Sequence, residues 1–232
     1  MAPLDSGPHG RRPMPEELVL LCTDPAHGRM PVPAAAFYRA LTGGVLAELV
    51  LAGAVTVEDR RITGFRPLGA QDDISAGVLD RLAEAGKRKH RLGLDHVMRQ
   101  IPRREALGHF RERLVADGAL TVERRHVLLI PYRAHLPVPA TAGQEIADRI
   151  ARALGRTGAG TGGTAVSPVG ACGPDGPDLQ LAGLIGAARL DRRIFPGPEN
   201  TEVRKAARRL VKELPVARAV RRLVDADNAS GG

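Results

Sequence analysis

Along most of this chain apolar residues recur every three to four positions, and in two short stretches they recur every second position. The first rhythm is that of an amphipathic helix and the second that of a half-buried strand. Ala34–Leu51 carries Phe37, Leu41, Val45 and Leu49 on one stripe, with Gly43-Gly44 weakening its middle. Ser75 is a plausible N-cap for a helix marked by Val78, Leu79, Leu82 and Ala83, which runs into the basic run Lys87-Arg88-Lys89-His90-Arg91. That run suits a solvated helix end. Leu94, Val97, Met98 and Ile101 predict a short helix that Pro102 ends. Arg103–Ala116 has Ala106, Leu107, Phe110 and Leu114 as its apolar face. Further helices are expected over 144–154, over the nearly uncharged 179–190, over 201–214, and after Pro215. Residues 16–22 read as a short apolar helix or strand before the turn-rich 23–28. Residues 1–14 and the tail from 226 to 232 are expected to be disordered, and the Gly/Thr/Ala/Pro stretch 155–177 to be a flexible insertion. The sum is a mainly α fold: one globular helical domain over 15–225 with two small β-hairpins.

The hairpins come from a pattern that occurs twice. Leu49-Val50-Leu51-Ala52-Gly53-Ala54-Val55-Thr56-Val57-Glu58 matches Leu114-Val115-Ala116-Asp117-Gly118-Ala119-Leu120-Thr121-Val122-Glu123, 65 positions on. Each copy reads as a helix end, a glycine stop suited to the left-handed region, a short strand and a polar turn crowded with arginine. A helix feeding a hairpin with a cationic tip presents charge to something large and anionic. Two partners fit: nucleic acid, gripped by a winged-helix-like repeat, or an anionic membrane.

Composition sharpens this only partly. The 232 residues carry a formal charge of +8, almost wholly as arginine, since lysine occurs only at 87, 89, 205 and 212. Arginine contacts phosphate bidentately, which suits nucleic acid or lipid head groups. Cys22 and Cys172 stand alone without CxxC spacing, so neither a disulfide framework nor a zinc site is expected. No stretch reaches the ~18 consecutive apolar residues of a membrane span, and the Pro/Gly-rich start lacks the apolar core of a signal peptide. A cytoplasmic protein with at most peripheral membrane contact is expected.

Signals for catalysis are poor. The glycine run 158–163 follows no strand and lacks a Lys-Ser/Thr end, so it does not read as a phosphate loop. The seven histidines show no metal-ligand spacing. No enzyme, cofactor or metal is expected. The second hairpin is more specific, because Val127-Leu128-Leu129-Ile130 is apolar at consecutive positions where a half-exposed strand needs only alternate ones. Either this strand is buried on both sides, or its outer face enters the acyl boundary of a bilayer while flanking arginines meet head groups. Arg103 and Arg104 lie in the first turn of a helix, where cations oppose the macrodipole, so they are either ordinary solvated charge or a contact for an anionic partner. In the alternative reading Arg103–Ala116 enters the DNA major groove and Arg124 and Arg125 contact phosphate.

The stretch 46–55, the helix start 75–82, the run 114–120 followed by Val127-Leu128-Leu129, and the apolar 179–189 together resemble the GPP34 family, typified by Golgi phosphoprotein 3. The resemblance spans residues 15 to 225 and points to a bacterial, actinobacterial member. It implies a largely helical, single-domain peripheral membrane protein on the cytoplasmic face, which binds phosphatidylinositol 4-phosphate-like head groups and inserts an apolar hairpin. It also implies an adaptor role toward glycosyltransferases or other membrane proteins. Mapped onto this chain, one family arginine falls on Thr42 and the family tryptophan near Pro33, with Arg39 and Tyr38 as nearby substitutes. The two family arginines of the second helix fall on Arg104 and Leu107, or on Arg111 if one turn is deleted. The head-group contacts implied are Arg39, Arg103, Arg104, Arg111, Arg124 and Arg125. The membrane-inserting residues implied are Val127, Leu128, Leu129 and Ile130.

Overall fold

The computed structural model describes residues 11–58, 60–66, 72–87, 92–127, 130–159 and 176–230. Its helices are α1 (Met14–Cys22), α2 (Ala34–Leu51), α3 (Asp73–Lys87), α4 (Leu94–Gln100), α5 (Arg103–Ala116), α6 (Ala142–Ala159), α7 (Gly176–Ala187), α8 (Asp191–Ile194), α9 (Thr201–Glu213) and α10 (Pro215–Ser230). Strands β1 (Val55–Glu58) and β2 (Arg61–Phe65) form one antiparallel hairpin after α2, and β3 (Leu120–Val127) and β4 (Ile130–Pro137) a second after α5. The mainly α, single-domain architecture with two small hairpins is therefore as expected.

The two copies of the repeat fold alike, down to their hydrogen bonds. Gly53 (φ 67°) and Gly118 (φ 71°) both adopt the left-handed region. Ala54 N donates to Leu49 O at 2.9 Å and Gly53 N to Val50 O at 3.0 Å. In the second copy Ala119 N donates to Leu114 O at 2.8 Å and Gly118 N to Val115 O at 3.0 Å. These are paired Schellman caps, which satisfy the last helical carbonyls and turn the chain sharply into a strand. Even the strand exits match: Arg66 N returns to Ala54 O and Val138 N to Ala119 O, both at 2.9 Å.

The core lies where α2 meets α1, α5, α7 and α10. By length and composition α2 is the one helix among the described residues apolar enough to cross a bilayer, but 67% of it is buried inside the bundle. Its glycines do not break it. A Cβ at Gly43 would come within 2.5 Å of Val220 Cγ2 and 2.9 Å of Leu184 Cδ2, so the missing side chain lets α10 and α7 approach. The free thiol of Cys22 is buried in the same core, which pushes its pKa up to about 12 and makes it unreactive.

Several boundaries depart from expectation, each for a physical reason. Residues 11–14 are not disordered: Arg11 pairs with Glu17 (3.0 Å) and Asp178 (2.9 Å), Arg12 with Asp117 (3.1 Å), and α1 is a helix from Met14 onward. Asp72, not Ser75, caps α3, accepting from the amides of Ile74 and Ser75 and from the Ser75 hydroxyl. Helix α10 does not fray after Asp225 but runs to Ser230, held by a contact at Asp227. Helix α6 extends through residue 159, into the stretch expected to be flexible, and α7 begins at Gly176. Residues 160–175, with Cys172, and residues 88–91 of the basic run lie outside the described residues.

Three carboxylates are enclosed beside α1. Glu17 accepts from Arg149 at 2.6 and 2.7 Å, Glu16 pairs with Arg113 at 3.0 Å, and Glu48 accepts the Met14 amide at 2.6 Å. Burial pushes all three above the ordinary carboxyl range, and the neighbouring cations offset this only in part.

Candidate functional site

The second hairpin pairs Leu120 with Pro137 and continues rung by rung to Val127 opposite Ile130. With a two-residue period, opposed residues share a face, so the ladder has two distinct sides. One side holds the rungs Glu123–Ala134, Arg125–Tyr132 and Val127–Ile130; the other holds Val122–His135, Arg124–Arg133 and His126–Pro131.

The turn 23–30 folds onto the hairpin at Arg125 and Tyr132. Arg125 Nη1 donates to Ala26 O, and the Tyr132 hydroxyl to His27 O at 3.4 Å. The Arg29 guanidinium lies 4.9 Å from the centre of the Tyr132 ring, within cation–π range. Asp24 shapes the turn, accepting from the Ala26 amide and bonding His27 Nδ1 at 2.9 Å; these bonds, His27 foremost, hold its carboxyl below the usual range. Gly28 closes it. Its φ is 63°, and a Cβ there would stand 2.6 Å from His135 N. Arg125, expected to be a head-group contact, is thus half-buried and engaged by Ala26 O and by Glu123 at 2.9 Å.

Arg111 occupies a different setting. It is half-buried, its Nη2 lies 3.1 Å from Met30 Sδ, and its Nε is enclosed without a hydrogen-bond partner. Burial lowers its pKa, which the nearby Tyr38 hydroxyl partly offsets. Among the described residues no carboxylate pairs with it. Burial first, then the charges of Arg111 and Arg133, hold the His135 imidazole below its ordinary pKa. Arg124 and Arg133 are both exposed, and their side chains make no hydrogen bond or ion pair among the described residues.

At the far end of the ladder Ile130 is 70% exposed. The alternative of a strand buried on both sides fails for this residue. Leu128 and Leu129 lie outside the described residues, as does the side chain of Val127.

The start of α5 presents Arg104 to solvent and Arg103 half-buried, with no side-chain cap. Next to it a buried pair joins the ends of two other helices. Arg39 of α2, 1% exposed, donates from Nε and Nη2 to the Asp227 carboxylate of α10, both at 2.8 Å. The Arg39 bond, and then the positive field of Arg103 and Arg99, hold the Asp227 carboxyl below its usual range. Arg39, expected to be a head-group contact, is enclosed and tied to the fold.

The structure therefore gathers Arg103, Arg104 and Arg111 on one helix and places Arg124 on the hairpin that follows it. Sequence reasoning missed Arg29, Arg99, Arg133 and His135. The alternation Arg133-Ala134-His135-Leu136 was the available signal, but placing it opposite Arg124 requires the register, and the continuous apolar run 127–130 concealed where the chain turns.

No curated protein matches the chain significantly. The family model described as Golgi phosphoprotein 3 (GPP34) matches residues 14–226, which takes in α1, both hairpins and α10 up to its last turn. The chain belongs to the Golgi phosphoprotein 3 (GPP34) family.

Proposed function

We propose that this is a non-enzymatic peripheral membrane protein that docks on anionic phospholipid at the cytoplasmic face of a membrane. The observation that carries the reading is Ile130, a large apolar side chain 70% exposed at the end of a hairpin whose other rungs are rich in arginine. Burying an isoleucine fully contributes about 1.5–3 kcal/mol, and each basic residue near an anionic surface about 1 kcal/mol. Ile130 with Arg103, Arg104, Arg124 and Arg111 reaches roughly 6 kcal/mol, which is reversible attachment between the millimolar and micromolar ranges. Leu128 and Leu129 add to this if they enter the bilayer with Ile130.

A phosphatidylinositol 4-phosphate-like head group is the finer version of this reading. The positions that match the family's pocket favour a less selective contact, because Thr42 is fully buried, Leu107 is buried and Pro33 has no aromatic ring. An adaptor role toward glycosyltransferases rests on family analogy.

The test is co-sedimentation of the full chain with phosphatidylcholine vesicles, with and without phosphatidylserine. Binding that requires the anionic lipid, and that weakens in Ile130→Asp and in Arg104→Ala, supports the reading. Binding that ignores lipid charge, together with salt-sensitive retention on duplex DNA, overturns it in favour of nucleic acid.

A further inference from the structure

Strand register places two arginines where a sheet normally avoids them. Arg124 and Arg133 are directly opposite on neighbouring strands, with Cβ atoms about 5 Å apart, and like charges so placed destabilise a hairpin. Nothing within the hairpin relieves them. Glu123 is the single acidic residue between Leu120 and Pro137, and it points to the other side of the ladder, where Arg125 holds it at 2.9 and 3.0 Å. The rungs above and below add donors: His126 one step toward the tip and His135 one step toward the base, diagonally across the same side. The register therefore puts two arginines and two histidines from two strands on one side of the ladder, with Arg124, Arg133 and His126 exposed and His135 half-buried. Guanidinium planes match the tetrahedral oxygens of phosphate, and two of them at this spacing can share one phosphate group.

We propose that the Arg124–Arg133 rung is a phosphate clamp: a second anion site on the hairpin ladder, distinct from the arginines at the start of α5. It takes a phosphate group between the two guanidiniums, with His126 and His135 as flanking donors. In its lipid form the inference rests on the membrane reading above, and a soluble phosphate is the other source of the same chemistry. Occupancy turns a repulsive rung into an attractive one, so ligand binding should stiffen the hairpin.

Two arms separate the sources. In the first, backbone amide shifts of 124, 126, 133 and 135 are followed by NMR as inorganic phosphate replaces chloride at constant ionic strength. In the second, the full chain is co-sedimented with phosphatidylcholine vesicles carrying phosphatidic acid. Arg124→Gln/Arg133→Gln is compared with Arg104→Ala in both, and circular dichroism verifies the fold. Saturable shifts in the unmodified chain and in Arg104→Ala, absent from the double variant, support the clamp. With a lipid source, the double variant should also bind vesicles about 25-fold more weakly, the equivalent of ~1 kcal/mol for each of two cations at 1.4 kcal/mol per tenfold. If the unmodified chain binds vesicles and the double variant matches it in both arms, the clamp is wrong while the membrane reading stands on Ile130 and the arginines of α5. If phosphate shifts are lost in the double variant but the unmodified chain ignores all vesicles, the clamp stands as a soluble-phosphate site and the membrane reading fails. No response of the unmodified chain to phosphate or to phosphatidic acid overturns the clamp. An Arg133→Thr variant repeats both arms should the double variant misfold.

Discussion

Replacing Asp227 by Ala leaves the Arg39 guanidinium inside the bundle without its counter-ion. Arg39 is 1% exposed and donates two 2.8 Å bonds to that one carboxylate. Removing one partner of a buried ion pair costs about 3–5 kcal/mol, most of it the penalty of a stranded charge. The Asp227 side chain is 23% exposed, so water can reach part of the vacated space, which lowers the expectation to about 2–3 kcal/mol. For a chain of this length that is a fall in Tm of roughly 5–10 °C, read by circular dichroism. The pH dependence gives a second readout. A carboxyl whose folded pKa is depressed contributes stability above its unfolded pKa and loses it as pH falls through the folded value. Asp227→Ala should therefore flatten the acid limb of the stability curve. Arg39→Met/Asp227→Ala should recover most of the loss, since a well-packed apolar replacement of a buried pair is often neutral. Its vesicle binding should stay within about twofold of the unmodified chain, because an enclosed guanidinium does not meet head groups. A Tm within ~1 °C for Asp227→Ala refutes the energetic reasoning. A folded double variant that no longer binds vesicles refutes the structural assignment of Arg39.

Three further outcomes are expected. Ile130→Asp should change stability by less than about 0.5 kcal/mol, as befits an exposed position, while lowering vesicle binding about tenfold or more; a large loss of Tm would show that the side chain is packed. Gly28→Ala combines a positive φ, costing about 1–2 kcal/mol, with a Cβ 2.6 Å from His135 N, so the turn 24–29 should lift from the hairpin and its amides exchange faster. Unchanged exchange there would contradict the contact. Glu48 has a folded pKa raised by burial, so stability is full below the unfolded pKa and falls as pH rises through the folded one. Glu48→Gln should reduce that decline, leaving the share due to Glu16 and Glu17; a variant that declines as steeply as the unmodified chain sinks the point.

What could be read from the sequence was what is local. Apolar spacing located the helices, and the glycine within each repeat marked a left-handed stop at the helix end, because such a residue there is a short-range requirement. The contacts that decide the site are long-range. Arg39 meets Asp227 across 188 positions, and Arg125 meets Ala26 across 99. No periodicity carries that information, so Arg39 and Arg125 looked available for a ligand when each is engaged by another part of the chain. Helix boundaries erred for the same reason. Arg11 is ordered by Glu17 and Asp178, and the last turns of α10 by Arg39, partners that lie on other elements.

The internal repeat offers a comparison for the second hairpin. In the shorter first hairpin the last rung opposes Glu58 to Arg61, an attractive pairing one position before the repeat equivalent of Arg124, and α2 opens on Ala34-Ala35-Ala36, which leaves the helix dipole unopposed. The second copy breaks both rules within one helix–hairpin unit: α5 opens on Arg103-Arg104, Arg124 faces Arg133, and an exposed isoleucine ends the ladder. The first helix–hairpin unit folds without a like-charged rung or cations in the first turn of its helix, so this kind of unit does not demand them. Sequences depart from local consistency where function requires it. Arg133→Glu sets an opposite charge across from Arg124, so it should raise hairpin stability by about 0.2–1 kcal/mol, measured as slower amide exchange in β3 and β4. The same substitution should abolish the phosphate response. A more stable hairpin that still binds phosphate would mean that the repulsion serves nothing, and a less stable one that the register of β3 and β4 differs from that described.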